Sequence, residues 1–333
     1  MRTTAVLFQI HYFDRWAERA FRKLRAGAPA HYEFVVLMHL PPGAPVPARV
    51  TRYPHHVVRT PELRTLPYPA KVGGKGWNLW HDGHTDLITM HYWRAYPNHD
   101  RYWAIEYDVR YTGPWRRFFA AFEDHDSDLL ATMVCRRRDF PEWLFWPSLV
   151  APGAPVDDTQ AVSSFMPVFR ASGRLMRAVD EAYREGWGGH LECSFATIAA
   201  VRGLSVADLG GDGEFTPEQH RRRFYSGTVR DVYRAPGTFV FKPTFFRTGS
   251  RPDMLWHPVK PFWLVAEVRR ELLAARSAVA GLIRDRAAWM LPERWRRPGS
   301  FSRPQTTPPL PAPVALAAAV DEPASTRAGP LHG

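Results

Sequence analysis

Cysteine is almost missing from this chain, with only Cys135 and Cys193 among 333 residues. Two are too few for a disulfide framework, and they form no Cys-x-x-Cys pair, so thiolate zinc is excluded as an organising device. Both are expected to be small buried hydrophobes. Long apolar runs are missing too: no stretch reaches the roughly 18 uninterrupted apolar residues of a membrane span. Met1-Arg-Thr-Thr4 leads directly into a short strand-like run rather than a signal peptide, which makes the cytoplasm the expected location. Neither the P-loop nor the dinucleotide fingerprint occurs. Lys71-Val-Gly-Gly-Lys-Gly76 has lysines and glycines that could approach a phosphate, but its spacing fits neither motif and a plain loop explains it.

Positive charge is present in excess. A net charge of +11 and a pI of about 9.9 favour anionic partners such as nucleotide phosphates, lipid headgroups, acidic glycans or nucleic acid. Arginine supplies nearly all of it, in pieces such as Arg136-Arg-Arg138, Arg221-Arg-Arg223 and Arg296-Arg297 that make no single stripe. Hydrophobic content of 45% marks a globular chain with ample material for a core.

The patterning alternates strand and helix. Thr4 to Ile10 reads as a buried strand. Asp14 caps a helix with Trp16, Ala20, Phe21 and Leu24 on one face, and Tyr32 to Leu40 reads as a second strand, completing a βαβ unit. Residues 41–69 are proline-rich, with Val57-Val58 as a short edge strand. Helices are expected from about Thr85, from Gly113-Pro114, from Ser172 to Glu185 and from His190 to Val201; strands are expected over Asp128 to Val134 and within Thr238 to Phe246. Asp124, Asp126 and Asp128 lack the glycine and closing glutamate of a calcium loop and read as a solvated turn. Glu142 to Pro155 reads as an aromatic-walled cleft or a packed irregular connection. A basic amphipathic helix is expected over 261–291, packed on the domain, and a disordered Pro/Ala-rich tail over 292–333.

The most informative stretch is Arg101-Tyr-Trp-Ala-Ile-Glu-Tyr-Asp108. Tyr102 to Ile105 is uncharged, as in a strand buried on both faces, and Glu106 and Asp108 follow at once. In extended backbone, residues i and i+2 face the same side, so both carboxylates should meet at the strand's carboxyl end, where open α/β sheets bind ligands. Two hard oxygen ligands there suit a divalent cation bound to phosphates. The competing reading is an ion pair with Arg110 at an ordinary strand end.

The early βαβ unit, Glu106-Tyr-Asp108 and the late Trp256-His-Pro-Val-Lys260 resemble the glycosyltransferases of the GT-A fold over residues 1–260, and the wording is most similar to a glycosyltransferase-like bacterial family. The resemblance implies an α/β, Rossmann-like, mostly parallel central sheet flanked by helices. It also implies Mn²⁺ or Mg²⁺ on Asp108, His257 and Glu106, and a nucleotide-sugar donor held by Gln9, Lys75, Glu106, Tyr107 and Lys260, with Arg251 as a further cation. Glu106 departs from the commoner aspartate and reaches one methylene farther, which favours Asp108 as the main ligand. In inverting members a carboxylate late in the domain is the general base, and Glu192, between the acidic motif and the late histidine, is the candidate for it, although the helix dipole alone would also stabilise a carboxylate there; the resemblance does not choose between inversion and retention. The acceptor would be a glycan, lipid or small molecule rather than nucleic acid, with membrane contact through the basic C-terminal helix. Two other functions compete: a metal-dependent phosphoesterase built from His81, His84, Asp124 and Asp126, and a nonenzymatic basic module binding nucleic acid or acidic lipid.

Overall fold

The computed structural model describes residues 2–74, 77–227 and 237–261. Lys75 lies outside them, as do the tail and, except for Pro261, the C-terminal helix expected from the sequence. All described residues fall in one contact unit, residues 1–265.

In chain order the elements are β1 (Thr4–Ile10), α1 (Arg15–Ala26), β2 (Tyr32–Leu40), β3 (His55–Arg59), α2 (Thr60–Arg64), α3 (Pro69–Val72), α4 (Asp86–Ala95), β4 (Arg101–Glu106) and β5 (Arg110–Tyr111). They continue as α5 (Trp115–Phe122), β6 (Leu129–Arg136), β7 (Val162–Ser172), α6 (Gly173–Arg184), α7 (Leu191–Val201), β8 (Val206–Asp208) and β9 (Leu255–Trp256). Seven strands form the central sheet in the order β3-β2-β1-β4-β7-β6-β8, with β7 antiparallel to its neighbours and every other pair parallel. This is the expected mostly parallel α/β sheet flanked by helices.

The two-residue period of the strands divides the core. Ala5, Leu7, Val35, Leu37, Tyr102 and Ala104 face one side, against Leu87 and Met90 of α4, Leu175 and Val179 of α6 and Phe195 and Ile198 of α7. Val6, Phe8, Val36, Met38, Trp103 and Ile105 face the other, against Phe21 and Leu24 of α1 and Phe118, Phe119 and Phe122 of α5. Helix starts follow local chemistry: Asp14 Oδ1 accepts the Ala17 N–H at 2.8 Å, and Ser172 Oγ accepts the Leu175 N–H at 3.0 Å. The Glu142–Pro155 segment is a packed connection, with Trp143 and Trp146 against Cys193 and Ala161.

Four expectations are revised. β7 was not anticipated, because Pro167 interrupts its pattern; Pro167 lies between Thr132↔Phe165 on one side and Ile105↔Val168 on the other, where the ladder with β6 shifts register. No strand forms over 238–246; Phe239 and Phe245 make only isolated bridges to His257 and Val259. Asp128 is no part of a solvated turn: it is buried and accepts from Ser172 Oγ, Arg174 and Ser205. Of the two cysteines, Cys193 is buried and Cys135 only partly so. No helix among the described residues is long and apolar enough to cross a membrane.

Candidate functional site

β1 and β4 lie side by side, and the register Gln9↔Glu106 brings their carboxyl ends level. Glu106 is the last residue of β4, and the chain then turns, with the Tyr107 N–H donating to Gln9 O at 3.0 Å and the Val109 N–H to Glu106 O at 3.0 Å. The carboxylates of Glu106 and Asp108 therefore meet across a turn rather than along a strand, yet face one spot as the spacing suggested.

A second, two-stranded sheet carries His257 to that spot. β5 pairs antiparallel with β9 in the register Arg110↔Trp256 and Tyr111↔Leu255. The Val259 N–H donates to Asp108 O at 2.9 Å, so the returning chain is zipped onto the acidic turn. One ligand atom each from Glu106, Asp108 and His257 lie within 4.8 Å of one another, which makes this the one such cluster of three among the described residues. His257 Nε2 is 3.3 Å from Glu106 Oε2 and 3.6 Å from Asp108 Oδ1, while Lys260 Nζ is 3.4 Å from Asp108 Oδ2.

The donor set tests whether a cation fits. His257 Nδ1 lies 2.8 Å from Val240 O, which can only accept, so that nitrogen carries a proton and Nε2 is the ring atom turned to the two carboxylates. Lone pairs meeting carboxylate oxygens at this distance repel one another unless a proton or a cation stands between them. Asp108 Oδ1 is moreover buried without a hydrogen-bond partner, a costly state that a bound cation relieves. Three ligands would leave further positions on a divalent cation open. Arg110 makes no ion pair with Asp108: its guanidinium donates to Tyr107 O and Val109 O and stacks over Trp16 at 4.0 Å.

Around the triad, Lys260 Nζ lies 5.8 Å over the Tyr107 ring, and Tyr107 packs edge-on against His11 and Tyr12. His11 was not anticipated. Its ring is exposed by area yet hemmed in by Tyr12, Trp80 and Tyr107, and this crowding together with Lys260 lowers its pKa despite the Asp108 charge. The Gln9 side chain donates to Thr89 Oγ1 of α4 at 2.5 Å. Arg251 lines a cavity of about 420 Å³ with Met133, Tyr225 and Gly227, whose lining includes none of the triad.

Glu192 stands in the first turn of α7, its side chain 14% exposed. Burial pushes its pKa up to about 8, with the Glu106 charge adding to the rise and a hydrogen bond from the Met166 backbone opposing it. The phosphoesterase set does not assemble. His81 is exposed and pairs with Asp82, His84 is buried and stacked on Trp77, and Asp126 pairs with Arg2 and with Arg101 at the opposite end of β4 from Glu106.

No protein-family model matches the chain, and no curated protein does. Among solved structures, mouse xyloside xylosyltransferase 1 in its apo form is similar over 61% of this chain and 81% of that one, at 10% identity and a TM-score of 0.29. A likeness that loose transfers neither residues nor activity.

Proposed function

We propose that this chain is a metal-dependent glycosyltransferase that moves a sugar from a nucleoside-diphosphate donor to a hydroxyl acceptor on a glycan, a lipid or a small molecule. The observation that carries the reading is the convergence of Glu106, Asp108 and His257 at the carboxyl end of the sheet, with Asp108 Oδ1 buried and without a hydrogen-bond partner. A divalent cation held by these three residues would supply Lewis-acid stabilisation of the departing diphosphate. Lys260 adds a positive charge beside it. Tyr107 and His11 form an aromatic wall against which the donor can rest.

Glu192 is the general base. The acceptor oxygen bonds to the anomeric carbon, the bond from that carbon to the phosphate oxygen breaks with its electron pair going to the diphosphate, and the acceptor proton goes to the Glu192 carboxylate. A base must be ionised to act, so turnover rises with pH through the Glu192 value, starting from about 8 in the metal-free chain.

Thermal shift with Mn²⁺ or Mg²⁺ and a panel of nucleoside diphosphates tests the reading. Stabilisation by UDP or GDP only when metal is present, lost in Asp108→Asn, is the expected result. If Asp108→Asn leaves nucleotide binding and donor hydrolysis intact while His81→Ala abolishes activity, the site is elsewhere.

A further inference from the structure

The start of α7 is held by more contacts than a helix start requires. Lys71 Nζ, fully buried and paired with Asp86 at 2.8 Å, donates to Gly189 O at 2.8 Å. The His190 N–H donates to Ser148 Oγ at 3.0 Å, and the Leu191 N–H to Gly83 O at 2.9 Å. The His190 ring stacks on Phe145 with centroids 3.8 Å apart and planes 9° from parallel. Its other edge lies so close to Gly83 that a Cβ there would stand 1.8 Å from His190 Cδ2. The imidazole is thus locked in one plane. In that plane Nδ1 accepts the Glu192 N–H at 3.2 Å and lies 3.8 Å from Glu192 Oε2.

We infer that His190 is the positioning residue of the transfer site: as the neutral Nε2–H tautomer it caps α7 on the Glu192 amide and aims the Glu192 carboxylate without binding it. The inference rests on Glu192 being the base. Neutrality matters because an imidazolium could not accept the amide and would instead hold the carboxylate in an ion pair, withdrawing it from the acceptor. Burial, with the charges of Lys71 and His84 nearby, keeps His190 neutral, its pKa lowered to about 3. Histidine is an uncommon N-cap. Asparagine or serine would cap as well, but neither would fill the slot between Phe145 and Gly83.

The test is Mn²⁺-dependent hydrolysis of a panel of UDP- and GDP-sugars by the full-length chain, comparing wild type, Glu192→Gln, His190→Leu and His190→Asn. Leucine fills the slot without an acceptor, and asparagine restores an acceptor without the ring. His190→Leu should lower kcat by roughly 10- to 100-fold, as for a misplaced catalytic group, with KM and the Mn²⁺–UDP thermal shift unchanged. His190→Asn should recover most of that loss. If His190→Leu does not fold, His190→Gly, tolerated at N-caps without a side-chain acceptor, takes its place. Wild-type kcat in His190→Leu alongside a dead Glu192→Gln overturns the positioning role, and so does an Asn variant as slow as the Leu one. A fully active Glu192→Gln, or a wild type that hydrolyses no donor, instead sinks the reading beneath it and the inference with it.

Discussion

Replacing Glu192 by glutamine should make the metal-free protein more stable, and only at high pH. Burial raises the carboxyl from its ordinary 4.5 to about 8 in the folded chain. An acid whose folded value is raised holds its proton more tightly folded than unfolded. Its contribution is therefore fully present below pH 4.5, is lost progressively as pH climbs to about 8, and then stays lost. The gap between 4.5 and about 8 is about 3.5 units, which at about 1.4 kcal/mol per unit gives about 5 kcal/mol as an upper bound. Local relaxation and water around a side chain that is 14% exposed reduce this to roughly 2–4 kcal/mol. Urea unfolding of wild type and Glu192→Gln in EDTA across pH 5 to 9 measures it. The two should agree within about 1 kcal/mol at pH 5 and separate by roughly 2–4 kcal/mol in favour of the variant at pH 9. Mn²⁺ should narrow the separation, because a cation on the acidic turn offsets the Glu106 charge that Glu192 senses. Parallel stability curves would show that Glu192 is not a strained buried acid and remove the physical basis for assigning it the base's role.

Lys71→Met should cost roughly 3–5 kcal/mol in urea unfolding, because Asp86, wholly buried beside it, is left without its cation. Lys71→Met/Asp86→Asn should recover part of that loss, a coupling readable in a double-mutant cycle. Asp128→Asn should be most damaging near neutral pH: burial opposes its ionisation, but hydrogen bonds from Arg174, Ser172 and Ser205 win and hold it at about 2, below its ordinary 3.8. Stability from Asp128, roughly 2 kcal/mol, is present above the unfolded value and lost as pH falls toward 2, so the curves of variant and wild type should converge in acid. Gly83→Ala combines a φ of +65° with a Cβ 1.8 Å from the His190 ring. It should lower stability by roughly 1–3 kcal/mol and lower turnover as His190→Leu does.

The parts of the fold legible in the sequence are those in which one segment's own pattern settles its place. β1, β2 and β4 are apolar on both faces because helices cover both, and such runs can be recognised without knowing their neighbours. The acidic turn was legible for a related reason: two carboxylates directly after a buried strand cannot both sit in the core, so they mark an edge where a ligand can be met. What stayed hidden depends on partners far along the chain. β5 and β9 are two residues each, too short for any periodicity, yet their pairing is what sets His257 against Asp108. Lys71 reads as part of a plain loop, but it sits in α3 with its ammonium spent on Asp86 and Gly189. Asp128 looks like one of three solvated acids until Arg174 and Ser205 arrive. The same holds for His190, whose sequence context shows a histidine before a helix and nothing more. Its work is defined by Phe145, Gly83 and Lys71, from three separate segments, and such a residue becomes visible only when the packing that restricts its ring to one plane is known.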